Sequence, residues 1–292
     1  SRRQRQMCIR DRMNALERLL AGVRQEVARR ESEVSLEEIK RIAAQRPRPR
    51  DGVRALRSEG AVSVIAEIKR ATPGKGFLRE VSDVAALAKS YEAGGASVIS
   101  VSTEKNFFCG SIEDLRQVRA AVEVPVLYKD FVITPYQVHE ARALGADLIL
   151  ILQTSAEPMV VTSLVERAHS LGLTAIVEVH SRLEAFHALE AGARVIGVNA
   201  QDLRTLDFNM DTFAQIVDVI PEQVVAVAES GVAGPHDVFN YAQQGADAVL
   251  IGSALVQSNN PQSLVAEMVA AGAHPALATS RKSRISRERH HD

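Results

Sequence analysis

The fold this sequence predicts is an α/β protein, a (β/α)8 barrel with extra N-terminal helices before its first strand. Four segments repeat one form, Gly-Ala-x followed by an apolar run, at Gly95, Gly145, Gly192 and Gly245. These glycines are 50, 47 and 53 residues apart, room for two βα units in each interval. Each ends an Ala-rich helical pattern, so it fits a helix C-cap, and the run after it fits a strand. Between these runs lie Val62–Lys69, Val124–Lys129, Thr174–Val179 and Gln223–Glu229. That makes eight strands in about 210 residues, each followed by a helical pattern. The runs are largely apolar, as in a parallel sheet covered by helices. A doubly wound open sheet is the structural alternative, weakened because no Gly-x-Gly-x-x-Gly follows the first strand.

Before the first strand, Leu16, Leu19, Leu20, Val23 and Val27 recur at helical spacing over Met13–Glu31. Ser35-Leu36-Glu37-Glu38 reads as the capped start of a second helix through about Ala44. Arg46–Asp51, with two prolines, reads as a linker. Residues 1–12 carry five arginines and no apolar periodicity, and are read as a disordered or artefactual extension. Residues 13–278 are then one barrel domain, and 279–292 a disordered basic tail.

Composition narrows the function. At 46% apolar and 24% charged residues, the chain reads as a soluble globular protein. A net charge of −1 and the lack of tryptophan argue against a nucleic-acid partner. No apolar run approaches the length of a membrane span. With only Cys8 and Cys109, no disulfide framework is suggested, and a reduced, cytoplasmic setting is the simpler reading. The eight histidines show no metal-ligand spacing, and no activated serine or cysteine nucleophile is visible.

In this fold the active site lies at the C-terminal ends of the strands, so polar residues there that share a face with inward apolar ones are the candidates. Lys129 shares a face with Leu127. A lysine there is costly unless it sits at the open end or meets an anion. Burial is expected to lower its pKa and make it a proton donor near neutral pH. Glu67 and Lys69 share a face with Ile65, either as site residues or as a strand-end ion pair reaching for solvent. Ala71–Gly76 reads as a mobile covering loop or a plain surface turn. Glu178 shares a face with Ile176 and either pairs with a lysine or joins an acid–base set. His180 reads as helix-start polarity. Leu150 offers an apolar wall. Asn199 either holds substrate or caps the next helix. After the seventh and eighth strands, Glu229-Ser230-Gly231 and Gly252-Ser253 put small residues where helices should begin, a frequent phosphate site.

Several of these stretches, taken together, carry a resemblance. They are Val64–Pro73, Thr103–Ser111, Lys129-Asp130-Phe131, Val177-Glu178-Val179, Gly197-Val198-Asn199, Ala228-Glu229-Ser230-Gly231 and Leu250–Ser253. In order and spacing they resemble the indole-3-glycerol phosphate synthase family, especially its actinobacterial members, over about Asn14 to Leu277. The resemblance implies a carboxy-lyase of tryptophan biosynthesis. Its phosphorylated small-molecule substrate would be 1-(2-carboxyphenylamino)-1-deoxyribulose 5-phosphate, cyclised, decarboxylated and dehydrated to indole-3-glycerol phosphate. No cofactor and no metal are implied; association with other tryptophan-pathway enzymes and the oligomeric state stay open.

By motif match, Lys129 would be the general acid and Glu178 its acid–base partner or the stabiliser of a cationic intermediate. Glu67 and Lys69 would serve dehydration, with Lys69 also near the phosphate or carboxylate. Phe108, Phe131, Leu150 and Leu203 would wall the aryl ring. Asn199 would orient the substrate, alongside Thr72, Gln201 and Glu229. Ser230, Gly231, Gly252 and Ser253 would hold the phosphate. The chain departs from the family at Gln201, where arginine is usual, at Thr72 and Gly74, where serines are common, and at Tyr128, where arginine is frequent. Tyr128 has the opposite strand parity to Lys129 and is expected to face the helices. Two other readings stay open: a phosphosugar isomerase barrel, and a barrel that binds a phosphorylated ligand without turnover.

Overall fold

The computed structural model describes residues 14–58 and 60–277. The two tails, Cys8 and the outer domain limits 13 and 278 lie outside the described residues. Three helices come first: α1 (Ala15–Glu33), α2 (Leu36–Gln45) and α3 (Gly52–Leu56). Asn14 caps α1 in a reciprocal box with Glu17, and Ser35 caps α2. Leu16, Leu19, Leu20, Val23 and Val27 are all buried. Each contributes about 1.5–3 kcal/mol by leaving water.

Eight parallel strands then close into a barrel in sequence order: β1 (Ser63–Ile68), β2 (Val98–Ser102), β3 (Val126–Lys129), β4 (Leu148–Leu152), β5 (Thr174–Val179), β6 (Val195–Asn199), β7 (Val225–Glu229) and β8 (Ala248–Ile251), which pairs back onto β1. Closure removes the open-sheet alternative. The four repeat glycines adopt φ of +97°, +89°, +80° and +102°, the left-handed region where a Cβ is penalised. This is why glycine recurs there: each reverses the chain from helix into strand.

Strand parity builds two cores. Outward residues such as Val64, Ala66, Ile99, Tyr128 and Val177 pack beneath the helices. Inward residues Ile65, Val98, Leu127, Leu148, Leu150, Ile176, Val195, Val225, Val227 and Leu250 fill the barrel. Leu56 of α3 joins that inner core, so the short helix plugs the barrel's N-terminal end. The sequence assigns no element to Gly52–Leu56, just after the Arg46–Asp51 linker, because five residues are too few to show a helical period.

The N-terminal helices reach the site. Leu16, Leu19 and Leu20 share one cluster with Phe108, Phe131 and Leu203. Arg30 of α1 clamps this arrangement through two hydrogen bonds, of 2.8 and 3.0 Å, to buried Glu140 on the helix after β3. Tyr128 faces the helices and donates to Glu140 at 3.1 Å. With Arg30 neutralising Glu140, this layer needs no cation from position 128.

Candidate active site

Because β-strand side chains alternate, the last inward residue of several strands is polar. Glu67 on β1, Lys129 on β3, Glu178 on β5, Asn199 on β6 and Glu229 on β7 all point into the barrel mouth. Two adjoining cavities open there, one of about 830 Å³ and a deeper one of about 60 Å³. The larger is lined by Glu67, Lys69, Thr72, Lys129, Asn199, Gln201, Glu229, Ser230, Gly231, Gly252 and Ser253. The deeper one adds Phe108, Phe131, Leu150, Glu178 and Leu203. Every candidate site residue read from the sequence therefore lies on the wall of one mouth.

Glu67 is fully buried between two lysines, 2.5 Å from Lys69 Nζ and 3.4 Å from Lys129 Nζ. Burial pushes its carboxyl upward, but the two ammonium groups outweigh this and hold it below its ordinary value. Lys129 overturns an expectation. Burial alone would lower its pKa, but Glu67, Glu178 and Glu229 together outweigh desolvation and raise it above the ordinary lysine value. It is a cation throughout the neutral range. Strand parity showed that Lys129 was inward, but not that three carboxylates would face it.

Glu229 behaves oppositely. Burial, then the charge of Glu178, pushes its carboxyl well up, against the pull of Lys129. Among the described residues its Oε1 has no hydrogen-bond partner. Glu178 does not pair with a lysine at contact distance. It accepts from Asn199 Nδ2 at 2.7 Å, and Asn199 Oδ1 accepts from Ser230 Oγ at 2.6 Å and from the Gln201 amide at 3.0 Å. Asn199 thus links β5, β6 and the loop after β7, rather than capping a helix.

Two glycines make room. A Cβ on Gly197 would fall on Glu229 Oε1 and lie 3.3 Å from Ile176 Cγ2. A Cβ on Gly252 would lie 2.8 Å from Lys69 Nζ. Gly197→Ala is therefore expected to lower stability by about 1–3 kcal/mol and to reduce kcat by displacing Glu229. Parallel thermal melts and steady-state rates check this; unchanged values for both would mean the Glu229 carboxylate moves aside freely.

The apolar wall stands on polar supports. Phe108 and Phe131 lie 6.0 Å apart, and the Phe108 ring is 5.9 Å from Lys129 Nζ. Buried Glu104 holds the Phe108 loop by accepting from the amides of Asn106, Phe107 and Phe108 at 2.7–3.0 Å. Arg70 bridges to Asp114 at 2.7 Å and to the Val81 carbonyl at 2.9 Å, tying down the base of the loop that carries Thr72.

Two expectations need correction. Ser230 and Gly231 do not begin a helix: both adopt left-handed backbone, at φ +71° and +80°, and the helix starts only at Pro235. Ser253 does begin one, Ser253–Gln257, with Gly252 at its N-cap and no side-chain cap. His180 is also more than helix-start polarity, since it touches two carboxylates. Sequence reasoning missed Phe208, which lines the larger cavity over Gly231. An aromatic inside the polar run Asp207-Phe208-Asn209 was the available signal.

Among the described residues, no group of three His, Cys, Asp or Glu side chains is arranged to hold a metal ion, and no helix is long and apolar enough to cross a membrane. A barrel whose mouth sets two lysines among buried carboxylates, beside an aromatic wall and glycine-lined loops, defines an acid–base barrel enzyme. The comparisons with known proteins agree and narrow the class. The family model for indole-3-glycerol phosphate synthase matches residues 16–268. An indole-3-glycerol phosphate synthase of Beutenbergia cavernae is 56% identical over 269 residues, covering 92% of this chain and all of that relative. One of Streptomyces griseus is 52% identical over the same length and coverage. Among solved structures, a thiamine phosphate pyrophosphorylase from Pyrococcus furiosus shares the fold alone, with TM-score 0.53 at 17% identity over 72% of this chain and 94% of that one. The chain belongs to the indole-3-glycerol phosphate synthase family.

Proposed function

We propose that this protein converts 1-(2-carboxyphenylamino)-1-deoxyribulose 5-phosphate to indole-3-glycerol phosphate, releasing carbon dioxide and water, as a step of tryptophan biosynthesis. The observation that carries the reading is the cation–carboxylate cluster of Lys129, Glu67, Lys69 and Glu178 set beside an aromatic wall. The ring carbon bearing the carboxylate attacks the ketone carbon, and the ketone oxygen becomes a hydroxyl. Lys129 supplies that proton. The surrounding carboxylates keep Lys129 protonated, so an ammonium stands ready for an oxygen that becomes strongly basic only as the new bond forms. Attack leaves an iminium-like cation, which the Glu178 carboxylate stabilises. Carbon dioxide then leaves, and its bonding electrons return to the ring. Dehydration expels the hydroxyl with a proton; Lys69 and Glu67, in contact with each other, serve this step.

Phe108, Phe131, Leu150 and Leu203 fold the aryl ring against the sugar chain, and this orientation supplies part of the rate. Asn199, Thr72 and Gln201 orient the sugar. Ser230, Gly231, Gly252 and Ser253 take the phosphate with Lys69, since glycine lets an anion approach the backbone amides. Glu229, whose carboxyl burial and the charge of Glu178 push well up, completes the wall beside the phosphate loops. Mass spectrometry of the product tests the reaction. Loss of one carbon dioxide and one water is expected; a product of unchanged mass would make the protein an isomerase.

Gln201 stands where the family usually has arginine, and lines both cavities. Its Nε2 lies 3.0 Å from where a Cβ on Gly74 would sit, so the two departures from the family pattern are neighbours in space. Restoring a charged fork with Gln201→Arg is expected to lower KM about tenfold, the worth of one charge-assisted hydrogen bond. Steady-state kinetics decide it. Unchanged kcat and KM would mean that position 201 does not bear on the substrate and that activity is not impaired by glutamine.

A further inference from the structure

We propose that His180 is a positioning residue for Glu178, braced from behind by Glu184; this rests on the catalytic reading of Glu178 above. His180 follows β5 directly and lines neither cavity, and its side chain is only 6% exposed. Its two ring nitrogens face two different carboxylates. Nε2 lies 3.5 Å from Glu178 Oε1, and Nδ1 lies 3.4 Å from Glu184 Oε2. Among the described residues Nε2 is closed off from solvent and makes no hydrogen bond, so the Glu178 oxygen at 3.5 Å is an electrostatic neighbour that an imidazolium proton would face. A neutral imidazole donates from one nitrogen only, so only the imidazolium serves both acceptors.

Glu184 is itself fixed. It sits in the first turn of the helix Arg182–Glu190 and accepts from the His180 backbone amide at 2.7 Å, while Ser181 caps that helix. The brace is therefore built into the turn that ends β5. Glu178 accepts from Asn199 on that same oxygen, Oε1. The carboxylate is thus approached by an amide from β6 and an imidazole from its own strand end. Both hold one oxygen of a carboxylate whose charge also acts on Lys129.

The charges around the imidazole favour its cationic form. Burial opposes it, but the hydrogen bond to Glu184 and the charges of Glu178, Glu184 and Asp202 raise its pKa above 6.5. Asp202 comes from the loop after β6 and is paired with Arg204 at 2.8 Å, which tempers its pull. The sign follows. The brace is complete below the ordinary histidine value and is lost as pH rises through the higher native one.

The test uses His180→Gln, which keeps size and loses the charge. The expected result is a kcat about tenfold lower with KM changed less than about twofold, and loss of the alkaline limb that His180 deprotonation gives to the wild-type kcat profile. In substrate-free protein, NMR should show His180 titrating above 6.5, with Glu178→Gln and Glu184→Gln each lowering that value. If His180→Gln does not fold, Glu184→Gln should give the same split of kcat from KM. A folded His180→Gln protein with wild-type kcat and pH profile would overturn the proposal. So would a His180 titration that ignores Glu178→Gln. If the wild type itself does not turn over, the catalytic reading fails, and the NMR titrations alone decide whether the brace exists.

Discussion

Lys129→Ala is expected to lower kcat by about a thousandfold or more while a phosphate-bearing ligand still binds. The reason is electrostatic as much as chemical. Lys129 is the cation that Glu67, Glu178 and Glu229 face together, and the ammonium nearest the aromatic wall at 5.9 Å from the Phe108 ring. Removing it takes away the proposed proton donor to the ketone oxygen and the countercharge that Glu67 and Glu178 face. Lys69 cannot replace it, because contact with Glu67 at 2.5 Å and its place after β1 direct it toward Gly252 and the phosphate loops. The proposed phosphate grip of Ser230, Gly231, Gly252 and Ser253 does not include Lys129, so product binding followed by calorimetry should persist. Near-normal turnover in this variant would remove Lys129 from the general-acid role. Loss of binding together with turnover would indicate collapse of the site.

Glu178→Gln is expected to lower kcat by about a hundredfold to a thousandfold with little change in KM. Glutamine has the shape of glutamate, and its amide oxygen can keep the 2.7 Å hydrogen bond from Asn199. What it loses is the negative charge proposed to face the iminium-like cation after ring closure. An interaction made mainly with the transition state lowers kcat and kcat/KM together. The control is substrate affinity in the absence of turnover, which should match the wild type. A rate within about threefold of wild type would mean the cation is stabilised elsewhere.

Most of the fold was legible, because its signals are local. The Gly-Ala repeats mark helix ends that need left-handed backbone, and the apolar runs after them mark buried strands. Parity then placed Glu67, Lys129, Glu178 and Asn199 inward, since a strand offers only two faces. Other features depended on partners distant in sequence. The direction of the Lys129 shift is a sum over β1, β5 and β7, which no reading of β3 alone contains. His180 seemed idle because Glu184 approaches it from the next helix and Glu178 from two residues before. The helix α3 was too short to show a period, and the loop at Ser230-Gly231 hides its left-handed backbone behind a residue that seldom adopts it. Tyr128 was correctly placed toward the helices, but its tie to Arg30 through Glu140 joins segments more than 100 residues apart.

The most direct test of the central claim is a continuous assay with purified protein and 1-(2-carboxyphenylamino)-1-deoxyribulose 5-phosphate, following the growth of indole fluorescence. Saturable turnover is expected, with one indole-3-glycerol phosphate formed for each substrate consumed and carbon dioxide released in step. Saturable binding of the substrate with no indole formed would contradict it, and would leave a barrel that holds a phosphorylated ligand without acting on it.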